Sequence, residues 1–261
     1  MKYGFIGCGN MGGAIAKALS KATKEIMVSD RSGKAKAFAE ELGIVYSDAE
    51  TVAARCDRIF IAVKPHMVQE VLSPLQKVLG KRKPLLITMA AGMEIAKLEQ
   101  LAAAELPVIR IMPNTPAMVG AGMIQYCSSN VTAEEEAEFL KLMAPAGRLD
   151  AVPESLIDAA SCVSGCGPAW VYQFIEALAD GGVACGLPRA KAQEYAAQMV
   201  LGSAKMVLES GQHPGALKDA VCSPGGSTIQ GVRVLEEKGL RGAVIDAVLA
   251  AYDKTKEMGK G

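Results

Sequence analysis

The sequence predicts an α/β chain: a parallel, doubly wound sheet in its first half and a wholly helical second half. Up to about residue 152, short β-rich runs alternate with helical ones, the pattern that crossover helices between parallel strands produce. Beyond Pro153 the β signal stops, and helical runs follow one another to the end. A glycine triplet directly after the first β-rich run supports the same class, because it suits the turn from a strand into a helix.

Strands are expected at residues 3–6, 25–29, 58–63, 84–89 and 107–112, with helices at 11–22, 34–42, 66–79 and 94–101 between them. The run Ile59-Phe60-Ile61-Ala62-Val63 is apolar throughout, as a central strand covered on both faces must be. Two further short strands, 123–127 and 148–152, extend the sheet around a helix at 133–143. The second half reads as helices at 168–183, 189–209, 214–221, 229–237 and 241–258, with Pro168, Pro188 and Pro214 where first-turn prolines belong. Residues 169–179 are apolar around most of the helix circumference, so this segment is expected to be buried between helices or between subunits. The domains are accordingly 1–152 and 153–261.

Composition removes several classes. The chain has 261 residues, half of them apolar, enough for a sizeable core in one or two domains. Its 28 basic residues balance its 28 acidic ones, and only 5% are aromatic, which disfavours nucleic-acid binding. No apolar run approaches the length of a membrane span, and the first residues lack the apolar stretch of a signal peptide, so a cytoplasmic location is expected. Seven scattered cysteines without C-x-x-C pairs suit a reducing compartment. With only His66 and His213 as further ligands, no metal site is expected.

Tyr3-Gly4-Phe5-Ile6 runs into Gly7-Cys8-Gly9-Asn10-Met11-Gly12 and then an alanine-rich helix. This is the dinucleotide fingerprint of a Rossmann-type sheet. Gly7 permits the tight turn, Gly9 the approach of a pyrophosphate and Gly12 the close helix–strand contact, while the helix N-terminus favours phosphate. Ile6 through Gly12 are therefore cofactor candidates, with Cys8 serving as a small residue. At the end of the second strand the signals conflict. Asp30 suits a ribose hydroxyl, whereas Arg31, Ser32 and Lys34 suit a 2′-phosphate. The balance leans to NADPH, with NADH open.

Near the other end lies Ser223-Pro224-Gly225-Gly226-Ser227-Thr228-Ile229. Pro224 fixes its own φ, the glycines can take positive φ, and Thr228 can cap a helix at 229–237, so several N–H groups can converge on a small anion such as a carboxylate. An ordinary turn with an N-cap accounts for the residues equally well.

Together with Ala62-Val63-Lys64-Pro65, Met112-Pro113-Asn114-Thr115-Pro116, Ser164-Gly165-Cys166-Gly167-Pro168-Ala169, Ala177-Leu178-Ala179-Asp180-Gly181-Gly182-Val183 and Gly186-Leu187-Pro188-Arg189, these two motifs closely resemble the pyrroline-5-carboxylate reductases from end to end. The resemblance implies an NAD(P)H-dependent reduction of the cyclic imine 1-pyrroline-5-carboxylate to L-proline. It implies a homodimer or a ring of dimers built on the helical half. It places Ala62, Val63, Lys64 and Pro65 and the turn Met89-Ala90-Ala91 along the cofactor, with Pro113 and Asn114 near the nicotinamide.

The resemblance also assigns the substrate carboxylate to the loop of Ser223, Gly225, Gly226, Ser227 and Thr228, and makes the Thr228 hydroxyl a proton donor or an orienting group at the ring nitrogen. Glu154 matches an acidic position near the substrate, although a charged residue at a domain junction reads equally well. Lys64 can equally be a solvated loop lysine, and His66 reads as a helix-start residue. Two positions depart from the family pattern, which more often has a neutral residue where Asp30 stands and an asparagine near Asp48. Two rival readings are another imine or hydroxyacid reductase and a non-catalytic nucleotide sensor on the same fold.

Overall fold

In the computed structural model, which describes residues 2–259, an eight-stranded sheet forms the centre of the first of two compact units. The elements run β1 (Tyr3–Ile6), α1 (Asn10–Leu19), β2 (Ile26–Ser29), α2 (Lys34–Leu42), β3 (Val45–Tyr46), α3 (Ala49–Arg55), β4 (Arg58–Ile61), α4 (Val68–Leu72), α5 (Gln76–Arg82), β5 (Leu85–Thr88), α6 (Ile95–Ala102), β6 (Val108–Met112), β7 (Gly122–Ser129), α7 (Ala133–Met143), β8 (Gly147–Ala151) and α8 (Glu154–Ser164). The helices α9 (Gly167–Ala184), α10 (Arg189–Ser210), α11 (Pro214–Ala220), α12 (Ser227–Glu237) and α13 (Leu240–Gly259) follow. No helix among the described residues is long and apolar enough to cross a membrane.

The strand order is β3-β2-β1-β4-β5-β6-β7-β8. The first six of these strands are mutually parallel, so their carboxyl ends share one edge of the sheet. β7 departs from the expected parallel arrangement by running antiparallel to β6. The stretch between Met112 and Gly122 is too short for a crossover, which needs about a dozen residues. Register rows build a core on each face. Phe5, Phe60, Ile87 and Ile109 line up across four strands on one side, with the Phe5 and Phe60 rings stacked 4.3 Å apart. Ile59, Leu86 and Val108 line up on the other. Each such side chain contributes about 1.5–3 kcal/mol by leaving water.

Several elements differ from the sequence expectation. The helix expected at 66–79 is interrupted at Ser73–Leu75, because Pro74 has no N–H and its ring clashes with the preceding turn. β3, α3 and α8 are additional. Asp48 is the N-cap of α3, its Oδ1 accepting the Thr51 N–H at 2.6 Å, a part that asparagine and aspartate play equally well. Thr228 does not cap a helix at 229–237. The helix begins at Ser227 with Gly226 as its N-cap, because the Pro224-Gly225 turn already delivers the chain in helical direction.

By packing, the first unit runs to Cys166 and includes the residues of α13 from Ala251 on, while the second comprises Gly167–Ala250. In the second unit α9 and α10 pack on each other, and only Ala179, Ala192 and Ala196 are buried among its apolar residues. Tyr172, Phe174, Leu178, Leu201, Leu208 and Leu249 all remain exposed. A helical unit with an alanine-only core of three side chains does not bury enough surface to be stable as it stands. The girth of 169–179 is thus not covered within the chain.

Candidate active site

The carboxyl edge of the sheet gathers most of the expected cofactor residues. Ile6 is buried at the end of β1, and Gly7 turns the chain with φ +104°. A Cβ on Gly7 would run into the Ala62 carbonyl, and one on Gly12 would meet both Gly7 and Ala62, so the turn from β1 into α1 closes only with glycine at these two places. Gly9 faces open space and caps α1 with no side chain, leaving the first-turn N–H groups beside Asn10 and Met11 to an external acceptor. An open concavity lined by backbone N–H groups at a helix N-terminus fits a dinucleotide pyrophosphate.

Asp30 follows β2 and braces this loop. Its Oδ2 accepts the Cys8 N–H at 2.6 Å and its Oδ1 the Ser32 N–H at 2.7 Å. Burial alone would raise the Asp30 carboxyl, but these bonds and the Arg31 charge outweigh it and hold it below the ordinary value. The same arrangement pushes the Cys8 thiol up to about 12, through burial first and the Asp30 charge second. A thiol so protonated is a poor nucleophile. Arg31 is exposed, and its guanidinium is engaged by Glu70 of α4.

Beyond β4, Ala62 donates its N–H to the Ile6 carbonyl at 2.9 Å, and Val63, Lys64 and Pro65 lead into a short 3-10 turn. Lys64 is exposed there, as is His66. Met89, Ala90 and Ala91 follow β5, where Met89 donates to the Ile61 carbonyl. Pro113 and Asn114 follow β6. The Asn114 amide is already employed, donating to the Ser164 carbonyl at 2.9 Å and accepting the Met123 N–H at 3.0 Å, so it ties β7 to the end of α8.

Glu154 is likewise engaged. Its Oε1 accepts the Ile95 N–H at 2.7 Å and an Arg110 N–H at 3.2 Å. Arg110, 1% exposed in the middle of β6, also donates to Asp158 at 2.5 Å, and Lys256 pairs with the other Asp158 oxygen at 3.1 Å. Of this network only Glu154 is among the residues singled out from the sequence; Arg110, Asp158 and Lys256 are not. Its signal was a lone arginine inside the apolar run Val108-Ile109-Arg110-Ile111-Met112, which cannot be buried without carboxylate partners.

In the second unit, Ser223 accepts the Gly226 N–H on its carbonyl at 3.0 Å, with Pro224 and Gly225 (φ +68°) at the corners as a type II turn requires. A Cβ on Gly226 would collide with the Ser223 hydroxyl. Ser227 and Thr228 are the first two residues of α12, exposed, with no side chain capping the helix. The turn thus presents an exposed helix N-terminus with two hydroxyls on it, an arrangement that suits a carboxylate.

Fold and site together define a Rossmann-type nicotinamide-dependent oxidoreductase with a separate helical unit. Residues 154–258 match the family profile for pyrroline-5-carboxylate reductase dimerisation, and residues 2–92 that for coenzyme F420-dependent NADP oxidoreductases. The pyrroline-5-carboxylate reductase of Escherichia coli strain K12 is 44% identical, covering 99% of this chain and 98% of its own. The crystal structure of Plasmodium falciparum pyrroline carboxylate reductase with NADP bound is 37% identical with a TM-score of 0.90, covering 99% of this chain and 98% of that one. That of the Streptococcus pyogenes 1-pyrroline-5-carboxylate reductase is 35% identical with a TM-score of 0.91, covering 98% of each. The chain belongs to the pyrroline-5-carboxylate reductase family. It is an NAD(P)H-dependent oxidoreductase acting on a cyclic C=N bond, and its helical half is a dimerisation domain that makes it a homo-oligomer.

Proposed function

We propose that this chain reduces 1-pyrroline-5-carboxylate to L-proline with NADPH, the last step of proline biosynthesis, with Ser223, Gly225, Gly226 and Ser227 holding the substrate carboxylate and Thr228 serving its ring nitrogen. The observation that carries the reading is the turn at Ser223–Gly226. It leaves the N–H groups of α12 to an anion and places a hydroxyl two residues away. Reduction of an imine asks for little more: a fixed carboxylate to orient the ring and a proton held at nitrogen. The nicotinamide, when bound, supplies the hydride.

The residues that would hold the dinucleotide are the Gly7–Gly12 loop for the pyrophosphate, Asp30, Arg31 and Ser32 for the adenosine ribose, and the segments after β4, β5 and β6 along the rest. NADPH is the favoured cofactor, supported by the positive charge of Arg31 and by the NADP in the P. falciparum relative. For Glu154 the Arg110 and Ile95 contacts support a structural part, as a brace for α6 and β6. Assembly as a ring of dimers is supported by the extent of uncovered apolar surface on α9, α10 and α13, and a cytosolic location by the odd, scattered cysteines. Adding pyrroline-5-carboxylate to enzyme and NADPH should consume the cofactor and yield proline in equal amounts. Cofactor binding without turnover on this substrate would refute the reading and leave a nucleotide sensor.

A further inference from the structure

Arg31 and Glu70 form a two-point ion pair, Nη1 to Oε1 at 2.6 Å and Nη2 to Oε2 at 3.1 Å. The partners come from opposite sides of β1. Arg31 lies just past β2, Glu70 in α4 beyond β4, and both strands are direct neighbours of β1. With neighbouring strands about 4.8 Å apart, β2 and β4 lie about 10 Å from each other. The pair therefore reaches across the strand end from which the glycine loop springs, at the side where the adenosine half of a dinucleotide lies in sheets of this kind. Both side chains are largely in solvent, at 60% and 65% exposure, so the pair contributes little to folding. Its geometry is nonetheless the parallel fork by which arginine binds a phosphate. Glu70 occupies, with a carboxylate, the donors that a 2′-phosphate needs.

We propose that Glu70 is a specificity-determining residue, a clasp that holds the Arg31 fork across the adenosine end of the site and yields it to a 2′-phosphate but not to a ribose hydroxyl. This rests on the reading of the first unit as an NAD(P)H site. A phosphate monoester carries more than one negative charge and three acceptor oxygens, so it displaces a single carboxylate from the fork; a neutral hydroxyl does not. Glu70 then remains nearby as a like charge. It thus sets a limit on how strongly the 2′-phosphate is preferred, and Arg31 alone does not determine that preference.

The test is calorimetric binding of 2′,5′-ADP and of 5′-AMP to the full chain, which needs no turnover. Glu70→Gln should tighten 2′,5′-ADP about two- to fivefold, the size expected for freeing one exposed ion pair, and leave 5′-AMP within experimental error. The gain should shrink as ionic strength rises past the physiological range. Arg31→Ala should weaken 2′,5′-ADP about tenfold or more and spare 5′-AMP, since charge-assisted bonds to the phosphate are then lost. The proposal is overturned if Glu70→Gln leaves 2′,5′-ADP unchanged or weaker, if it tightens both nucleotides alike, or if Arg31→Ala binds 2′,5′-ADP as well as the parent does. Failure of the enzymatic reading would look different: selective fragment binding would persist while pyrroline-5-carboxylate went unreduced.

Discussion

The carboxylate of Asp30 accepts the backbone N–H of Cys8, 22 residues away, at 2.6 Å, and so pins the glycine loop to the end of β2. The residue that sequence patterns assign to a ribose hydroxyl is thus a brace for the glycine loop. Asp30→Asn keeps one acceptor oxygen for two N–H donors and removes a negative charge beside the ribose. Titration of the variant with both cofactors should show NADH weakened about tenfold, as expected for losing a hydrogen bond to a charged group, and NADPH weakened less. Equal losses for both would leave Asp30 as a loop brace alone.

The opposite end of the sheet carries an acid-sensitive contact. Glu138 of α7 pairs with Lys2 at 2.5 Å, with the Tyr3 hydroxyl at 2.8 Å and with Arg58. Burial alone would raise its carboxyl, but the bonds from Lys2 and Tyr3 and the Arg58 charge prevail and hold it below the ordinary carboxylate value. A group depressed on folding contributes stability that is complete above its unfolded-state pKa and lost as pH falls through the folded one. Glu138→Gln should lower the melting temperature by a few degrees at neutral pH, and the gap should close on acidification below about pH 4. A gap that stays constant into that range would show that packing, not ionisation, is what Glu138 supplies.

Much of the first unit was legible because its signals are local. Strand–helix alternation, the spacing of Gly7, Gly9 and Gly12, and the all-apolar run at 59–61 each depend on neighbours in sequence. The helix expected at 133–143 is local too, and the structure opens α7 there with a Thr132 capping box. What escaped is long-range. That Glu70 takes the Arg31 fork, that Asp158 and Glu154 neutralise Arg110, and that the Asn114 amide is consumed by Ser164 and Met123 are pairings across 39, 44 to 48, and 9 to 50 residues. Residue type alone makes Asn114 and Glu154 equally good site candidates or structural ties. For α12, the cap lies at Gly226, two residues before Thr228, since a hydroxyl residue and an extended glycine both open helices.

The uncovered face of the helical unit carries a quantitative expectation. Phe174 and Leu178 are 38% and 37% exposed within one chain, one turn apart on α9. Covering what is left exposed of each by a second copy contributes about 0.6–1 kcal/mol, a little over a third of the value for full burial, counted twice in a two-fold interface. Phe174→Glu or Leu178→Glu also introduces a charge into that contact. Either variant should lose the assembly by light scattering and aggregate or unfold well below the parent's melting temperature. A well-folded, active monomer at micromolar concentration would show that this face is not the one through which the chains associate.

Thr228 offers the sharpest test of the chemistry. It stands second in α12, exposed, with its hydroxyl in no capping bond, so nothing in the local structure consumes the group. Thr228→Ala should leave the binding of NADPH near the parent's and reduce kcat. If the hydroxyl passes a proton to the ring nitrogen, the loss should be about 10²–10⁴-fold, the range for general acid assistance. If it only orients an imine that is already protonated, the loss should be about tenfold, as for one neutral hydrogen bond. Ser227→Ala is the internal control, because at the first helical position its backbone N–H, not its hydroxyl, faces the carboxylate in this reading. Near-parental turnover of Thr228→Ala across the pH range, or a larger defect in Ser227→Ala, would move the proton-handling group elsewhere.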